Sequence, residues 1–249
     1  MSSDTLRVVI VDDEPLARTV VREFLKHHPG VEVVAECGNG FDAVKAVTDL
    51  SPDLMFLDVQ MPKLNGFEVL ELIGRQVPVI FTTAYDQYAL RAFEVHAVDY
   101  LLKPFSEERF SEALTRARSR LQSHEPVPDI DSLVAESRPK SGPLERVLIR
   151  DGSQVHVIPV EKIDYVEAQD DYVGIHTGGK TLLKEQTLGD LEGQLDPRRF
   201  VRIHRSYLLN IERLTRVELY AKDSRLAILN DGAKLPVSRT GYQRLQELL

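Results

Sequence analysis

Four side chains in the first half of the sequence could together bind a metal ion and a phosphoryl group. Asp12 and Asp13 follow one apolar run, and Asp58 follows another. Carboxylates held close together repel one another, and a hard dication such as Mg²⁺ relieves that repulsion while accepting phosphate oxygens. Lys103, which follows a third apolar run, can pair with Asp58 and then with a phosphoryl oxygen when one is present. Thr83 adds a hydroxyl that can hydrogen-bond the same oxygen.

Each of these residues also has an ordinary structural explanation when it is considered alone. An acidic residue after a strand commonly caps a helix, and Asp13 by itself fits that description. Lys103-Pro104 is a dipeptide typical of loops, and Tyr100 could pack in a core. The prediction of a binding site therefore depends on the whole constellation.

The chemistry requires these residues to meet at one edge of a sheet, and the hydrophobic pattern predicts such a sheet. Five short apolar runs without polar alternation are typical of parallel strands covered on both faces by helices. The five runs are residues 6–11, 31–35, 54–57, 79–81 and 98–102. Two helical stripes, 16–24 with Pro15 in the first turn and 110–121, lie between and after them. The predicted unit is a doubly wound α/β fold with its ligand site at the carboxyl ends of the strands.

Five short motifs at these strand ends resemble the receiver domain of bacterial two-component systems. They are Val-Asp-Asp-Glu at 11–14, Leu-Asp-Val-Gln-Met-Pro at 57–62, Asn65-Gly66, Thr83-Ala84 and Lys103-Pro104-Phe105. The resemblance implies a flavodoxin-like receiver over residues 4–121, which itself catalyses phosphoryl transfer to Asp58 from a sensor histidine kinase. It further implies that Lys103 contacts the phosphoryl group and that the Lys103-Pro104 bond is cis. The implied Mg²⁺ ligands are Asp12, Asp13, Asp58 and the backbone carbonyl of Gln60.

Thr83 and Tyr100 match the switch pair of that family. If the Thr83 hydroxyl turns to the phosphoryl group, it vacates volume that Tyr100 can enter. The surface formed by residues 86–93, the last strand and the final helix then changes. We expect this surface to form a homodimer in the phosphorylated protein.

Residues 122–143 lose the apolar rhythm and contain four prolines and a glycine among Ser, Glu and Asp, which predicts a linker. Ile130, Leu133 and Val134 could form a short helical turn there, but they are too few to hold a core.

Residues 144–249 are predicted to form a second, mainly β domain. Asp151-Gly152, Gly178-Gly179 and Asp231-Gly232 are turn signals between strand-like runs. The alternation of Val155 and Val157 predicts a strand with one covered face. Residues 188–195 and 240–249 have the spacing of two short helices.

The net charge of −8 is unevenly distributed along the chain. Residues 1–120 carry 13 Lys and Arg against 19 Asp and Glu, whereas residues 144–249 carry 16 of each. Only the local surface meets phosphate, so the overall acidity does not exclude nucleic-acid binding by the second half. A basic cluster, commonly a solvated face, occupies residues 198–205.

In a strand over this cluster, Val201 and Ile203 would point inward and leave one basic face. Residues 200–210, together with 163–168, 172–173 and 235–239, resemble the LytTR DNA-binding domain, which inserts its connecting loops into successive major grooves. The residues expected to contact double-stranded DNA are Gln169, Tyr172, Arg202, His204, Arg205, Ser206, Ser238 and Arg239. Arg205 and Arg239 are the strongest candidates, because arginine makes bidentate contacts to guanine.

One feature departs from that pattern: Asp170-Asp171 places acidic groups in the first loop, where phosphates would repel them. Either that loop reads a base donor such as the cytosine amino group, or it stands away from the DNA.

The expected function is a transcription regulator controlled by phosphorylation. The alternative is a receiver with a protein-binding or RNA-binding output. An enzymatic output is disfavoured, because residues 144–249 contain no nucleophile elbow, phosphate-binding glycine loop or metal-ligand cluster in sequence.

We expect the protein in the cytoplasm, with no membrane association. No apolar run approaches the roughly 20 residues that cross a bilayer, and residues 1–5 do not begin a signal peptide. The single cysteine, Cys37, allows no intramolecular disulfide.

Overall fold

The computed structural model describes residues 5–74, 77–84, 97–123, 143–221 and 224–248, and the chain folds into two compact units. The first unit contains a five-stranded parallel sheet in the order β2-β1-β3-β4-β5. Its strands are β1 (Leu6–Val11), β2 (Val31–Cys37), β3 (Leu54–Asp58), β4 (Val79–Thr83) and β5 (Asp99–Leu102).

Helices cover both faces of this sheet, which confirms the predicted doubly wound fold. They are α1 (Pro15–Lys26), α2 (Gly40–Leu50), α3 (Gly66–Ile73) and α4 (Glu107–Ser123). Phe110 of α4 and Val21 of α1 join one apolar cluster with alternate strand residues such as Val8. Val9, which points to the opposite face, is equally buried, and α2 packs on β1.

All five strands lie where the apolar runs predict them: β1 has the predicted bounds, and each of the other four differs by one or two residues at one end. β4 continues to Thr83, and the backbone N–H of Lys103 donates to the Thr83 carbonyl at 2.7 Å. These ends are set by ladder hydrogen bonds, which hydrophobicity does not report. The Lys103–Pro104 peptide bond is cis, as expected. The predicted surface segment 86–93 and the possible turn at Ile130, Leu133 and Val134 lie outside the described residues.

The second unit contains most of the described residues from 143 onwards, and this β-rich part of the chain forms two larger antiparallel sheets and a hairpin. A five-stranded sheet has the order β10-β9-β8-β12-β11, a three-stranded sheet has the order β13-β14-β15, and β6 pairs with β7. The strands are β6 (Arg146–Asp151), β7 (Gln154–Pro159), β8 (Tyr165–Gln169), β9 (Tyr172–Thr177), β10 (Lys180–Glu185), β11 (Phe200–His204), β12 (Tyr207–Asn210), β13 (Leu214–Ala221), β14 (Ser224–Leu229) and β15 (Lys234–Val237). The two predicted helices are present as α5 (Leu188–Glu192) and α6 (Arg239–Gln246), and 3₁₀ turns occupy Val160–Lys162 and Ile211–Arg213.

The five-stranded sheet of the second unit is covered on both faces near β11 and β12. One apolar cluster contains Phe200 and Leu208, and the cluster on the other face contains Val201, Ile203 and Leu209. Val201 and Ile203 therefore point inward as predicted. The prediction that the opposite face of this strand is wholly basic is wrong, because Phe200 lies on that face and is buried.

The prediction of a covered face formed by Val155 and Val157 is also wrong. The side chain of Val157 is 38% exposed, whereas its neighbour Ile158 is 5% exposed and joins the core with Val160. Side chains alternate between the two faces of a strand, so a phase error of one residue reverses the assignment. Within the described residues, no helix is long and apolar enough to cross a membrane.

Candidate acidic pocket and nucleic-acid interface

The three predicted metal-binding carboxylates meet at the carboxyl edge of the parallel sheet. One oxygen from each of Asp12, Asp13 and Asp58 lies within 4.8 Å of the others. The meeting follows from the topology, because β1 and β3 are adjacent and parallel and both end here. Asp12 is 1% exposed and Asp58 is 6% exposed, while Asp13 is the most accessible of the three. This all-oxygen set of carboxylates suits a hard dication such as Mg²⁺.

Lys103 bridges two of these carboxylates. Its Nζ lies 2.6 Å from Asp12 Oδ2 and 3.4 Å from Asp58 Oδ2. The shorter contact is thus with Asp12, whereas the sequence suggested Asp58 as the lysine's partner. Burial opposes the lysine charge, but the hydrogen bond to Asp12 and the attraction of both carboxylates outweigh it and raise the pKa of Lys103 above its ordinary value. The lysine is therefore a permanent cation in the pocket.

Burial has the opposite effect on the acid at the centre of the pocket. Desolvation raises the pKa of Asp58 to about 6, and the negative charge of Asp12 adds to this effect, while Lys103 opposes it. The backbone N–H of Gln60 donates to Asp58 Oδ1 at 3.3 Å and also favours the ionised form. Asp58 is thus mostly ionised at neutral pH and protonates in mild acid.

The two switch candidates lie on neighbouring strands beside this pocket. Thr83 is fully buried at the end of β4, and its neighbour Thr82 is in register with Asp58. Tyr100, on β5, is half-buried and in register with Phe81. Both residues thus lie on neighbouring strands of the sheet, and their role as a switch pair stays a prediction.

Gly66 and Arg18 have supporting roles in the pocket that the sequence did not indicate. Asn65 and Glu68 form a capping box at the start of α3, and a Cβ placed on Gly66 would overlap the carbonyl oxygen of Asp58. The Arg18 guanidinium donates to the Asp12 carbonyl oxygen at 2.7 Å. In the sequence, Asn65-Gly66 was identified as a motif, but no structural role was assigned to it. Nothing in the position of Arg18 in the sequence indicated its contact with Asp12.

In the second unit, the three predicted DNA-contacting segments are joined by backbone hydrogen bonds. The N–H of Ala168, next to the β8–β9 turn, donates to the Ser206 carbonyl at 2.9 Å. The N–H of Ser238 donates to the Ile203 carbonyl at 2.9 Å, and a Cβ on Gly241 would overlap that same carbonyl oxygen. The β8–β9 turn, the β11–β12 turn and the start of α6 therefore form one connected region.

Several of the predicted contact residues also hold this region together. The Arg202 guanidinium donates to the carbonyl oxygens of His204 and Arg205 and pairs with Glu192 at 3.0 Å. Ser238 caps α6, because its Oγ accepts from the Gly241 N–H.

The β11–β12 turn is closed by a histidine. His204 Nδ1 accepts from the Ser206 N–H at 3.2 Å, and burial together with the nearby arginines lowers the pKa of His204. The neutral ring that results can accept this bond. Arg205, in the same turn, and Arg239 at the start of α6 are both exposed.

The backbone conformation of the β8–β9 turn accounts for one of its two aspartates. Asp170 has a φ of 51°, in the left-handed region that Asp and Asn tolerate better than most residues. Tyr172, which follows the turn, is 45% exposed. Gln169, which precedes it, extends its amide over Gly174 and donates to Glu167 Oε2 at 3.4 Å.

Comparison with known proteins assigns each half of the chain to a known domain family. Residues 8–115 match the family model of the response regulator receiver domain, and residues 153–249 match that of the LytTr DNA-binding domain. An uncharacterised response regulatory protein of Yersinia pestis is 36% identical over 98% of both chains. The sensory transduction protein LytT of Bacillus anthracis is 35% identical, and the transcriptional regulatory protein BtsR of Escherichia coli K12 is 36% identical; each match covers 98% of this chain and 99% of the relative.

The chain belongs to the response regulators that join a receiver domain to a LytTR DNA-binding domain. Its output is DNA binding and not conventional enzymatic catalysis. The receiver implies a histidine kinase as partner, and the LytTR domain implies DNA.

Replacement of Gly66 by Ala should weaken Mg²⁺ binding by about tenfold, because the added methyl displaces the backbone of Asp58. Titration with Mg²⁺, followed by the amide NMR signals around Asp58, measures the affinity. Gly189→Ala is the control, since this glycine lies on the exposed surface of α5 and its added Cβ meets the Thr187 hydroxyl at an ordinary 3.9 Å. Equal affinities of the two variants would contradict the supporting role of Gly66.

Mg²⁺ affinity should fall as the pH falls through about 6, the pKa of Asp58 in the metal-free protein. Protonation neutralises a ligand that the cation requires, so the dissociation constant should rise by about tenfold per pH unit below that value. The same NMR titration at pH 7.5, 6 and 5 measures this change. Asp58→Asn should bind the ion more weakly and lack this pH dependence; an unchanged affinity of the wild-type protein at pH 5 would refute the assignment.

Proposed function

We propose that Asp58 is the phosphoacceptor and that its phosphorylation controls DNA binding by residues 144–249. The convergence of Asp12, Asp13 and Asp58 with the Lys103 ammonium carries this proposal. The cation Mg²⁺ would be held by these three carboxylates and the backbone carbonyl of Gln60, and it would neutralise phosphoryl charge when bound.

The receiver would itself catalyse the transfer from the phosphohistidine of a sensor kinase. An Asp58 carboxylate oxygen forms the new bond to phosphorus while the bond from phosphorus to the donor nitrogen breaks, and the electron pair stays with the imidazole. Lys103, whose ammonium lies 3.4 Å from Asp58, would stabilise the phosphoryl oxygens, and the hydroxyl of the buried Thr83 would donate to one of them. Positioning and charge stabilisation account for most catalysis in reactions of this class.

Phosphorylation would reach the rest of the molecule through Thr83 and Tyr100. Thr83 moves towards the phosphoryl group, Tyr100 takes up the vacated space, and the altered surface forms a homodimer. The burial of Thr83 supports this step, because a buried side chain cannot move without its neighbours repacking.

The domain limits that fit this proposal are residues 4–121 for the receiver, 122–143 for the linker and 144–249 for the DNA-binding domain. Arg205 and Arg239 would contact base edges or phosphates. Arg202, His204 and Ser238 would mainly hold the connected turns in place, which their internal hydrogen bonds support. Gln169, Tyr172 and Ser206 would complete the interface, and the protein would act in the cytoplasm.

Incubation with acetyl phosphate and Mg²⁺ should phosphorylate the wild-type protein and convert it from monomer to dimer. The Asp58→Asn variant should remain unmodified and monomeric, because it lacks the accepting oxygen. Phosphate-affinity electrophoresis and sedimentation velocity on the same samples measure the two properties. Phosphorylated protein that stays monomeric would refute the dimer, and equal modification of the variant would refute the acceptor.

Substitution of both Arg205 and Arg239 by Ala should lower affinity for a duplex selected by the wild-type protein from random sequences. We expect a loss of about tenfold or more per arginine and a shallower dependence of affinity on salt, because charge-assisted DNA contacts are removed. Fluorescence anisotropy at several salt concentrations measures both quantities.

The control is Arg216→Ala with Arg244→Ala, which removes the same charge from exposed positions on β13 and α6. If the two double variants bind equally, Arg205 and Arg239 are not the contacts. A wild-type protein that selects RNA and no duplex would favour the alternative output.

A further inference from the structure

Glu167, in the middle of β8, collects polar contacts from three different strands. Its Oε1 accepts a hydrogen bond from the Tyr207 hydroxyl at 2.6 Å. Its Oε2 lies 3.4 Å from Gln169 Nε2 and 3.4 Å from His176 Nε2. Tyr207 belongs to β12 and His176 to β9, so the carboxylate connects the two neighbours of its own strand.

These partners are the residues from which the candidate DNA-contacting turns extend. Gln169 is the last residue of β8, directly before the β8–β9 turn, and Tyr207 is the first residue of β12, directly after the β11–β12 turn. Glu167 and Tyr207 are in register across the two strands. The carboxylate therefore lies at the common base of both turns.

The side of the carboxylate towards β9 is held by a second set of contacts. The His176 ring stacks on Tyr165 with 3.9 Å between centroids, and its Nδ1 is 3.0 Å from Thr181 Oγ1. Gly174, opposite Glu167 on β9, leaves the space in which the Gln169 amide lies. His176, which approaches the carboxylate from β9, is thus itself held by residues of β8 and β10.

We propose that Glu167 is a positioning residue for sequence-specific DNA binding, because its carboxylate fixes the β8–β9 turn relative to the β11–β12 turn. This inference rests on the proposed DNA-binding function. It assigns Glu167 no contact with DNA, and it places the Tyr207 hydroxyl in the same role.

The direction in which DNA affinity changes when Glu167 is replaced distinguishes a positioning role from simple electrostatic repulsion. Removing a negative charge near phosphates should strengthen the binding of any DNA, specific or not. Loss of positioning should instead weaken binding only where side chains must reach defined base edges. A Glu167→Gln substitution keeps the size of the side chain but removes the charge and one of the two acceptor oxygens, so the bond from Tyr207 or the bond from Gln169 is lost. It therefore tests the two effects against each other.

The experiment uses full-length protein and two duplexes, one selected by the wild-type protein from random sequences and one a shuffled version of it. Glu167→Gln should lose about tenfold in affinity for the selected duplex, similar to the loss of a base contact, and none for the shuffled duplex. Tyr207→Phe should do the same, because it removes the hydroxyl that donates to the carboxylate. Glu185→Gln, an exposed charge loss on β10, should keep the wild-type ratio of affinities.

Thermal unfolding followed by circular dichroism shows whether each variant is folded at the assay temperature, and Tyr207→Phe provides the test if Glu167→Gln is not. Unchanged or increased affinity for the selected duplex in Tyr207→Phe and in folded Glu167→Gln overturns the inference. A wild-type protein that selects no duplex overturns instead the proposed DNA-binding function.

Discussion

Repulsion among three carboxylates in a largely buried pocket is the constraint on which the receiver depends. Asp12 and Asp58 are almost fully buried, and Asp13 lies within reach of both. A buried negative charge is costly unless a cation or a proton compensates it. Lys103 supplies one positive charge, and the pKa of Asp58 is still raised, first by burial and then by the negative charge of Asp12. A divalent cation and then a phosphoryl group would exploit this imbalance, so the resting pocket is prepared for both.

The two units use the backbone in the same way to position their side chains. In the receiver, Gly66 allows α3 to approach the carbonyl of Asp58, and Arg18 holds the carbonyl of Asp12. In the LytTR domain, Gly241 allows α6 to approach the carbonyl of Ile203. Each of these contacts holds a functional segment in place through residues that do not themselves bind the metal ion, the phosphoryl group or DNA. Substitutions at these positions should therefore affect function more than their chemical type suggests.

The sequence was sufficient for the elements and for the pocket, because both depend on strongly patterned residues. Continuous apolar runs identified the parallel strands, and the strand ends placed Asp12, Asp58 and Lys103 at one edge. Partners within the pocket were not predictable, since the preference of Lys103 for Asp12 rests on the difference between contacts of 2.6 and 3.4 Å at the same edge of the sheet. The short strand of Val157 shows a further limit, because alternation reveals a period without revealing which phase faces the core.

Reasoning from residue type was least reliable for the polar groups of the second unit. An arginine in a basic cluster suggests a DNA contact, yet Arg202 is engaged with Glu192 and two backbone carbonyls. Ser238 and His204 are likewise occupied in a helix cap and a turn. Ser238 also donates its hydroxyl to the carbonyl of Ile203, 35 positions earlier in the chain, and no local pattern encodes that bond. The role of Glu167 is invisible for the same reason.

The most direct test of the central claim is to locate the phosphoryl group chemically. Reduction with borohydride converts an aspartyl phosphate into homoserine, which peptide mass spectrometry assigns to a position. After incubation with Mg²⁺ and a phosphodonor, homoserine should be found at position 58 and should be absent when Mg²⁺ is removed. Homoserine at position 12 or 13, or at none of the three, would contradict the account of the pocket.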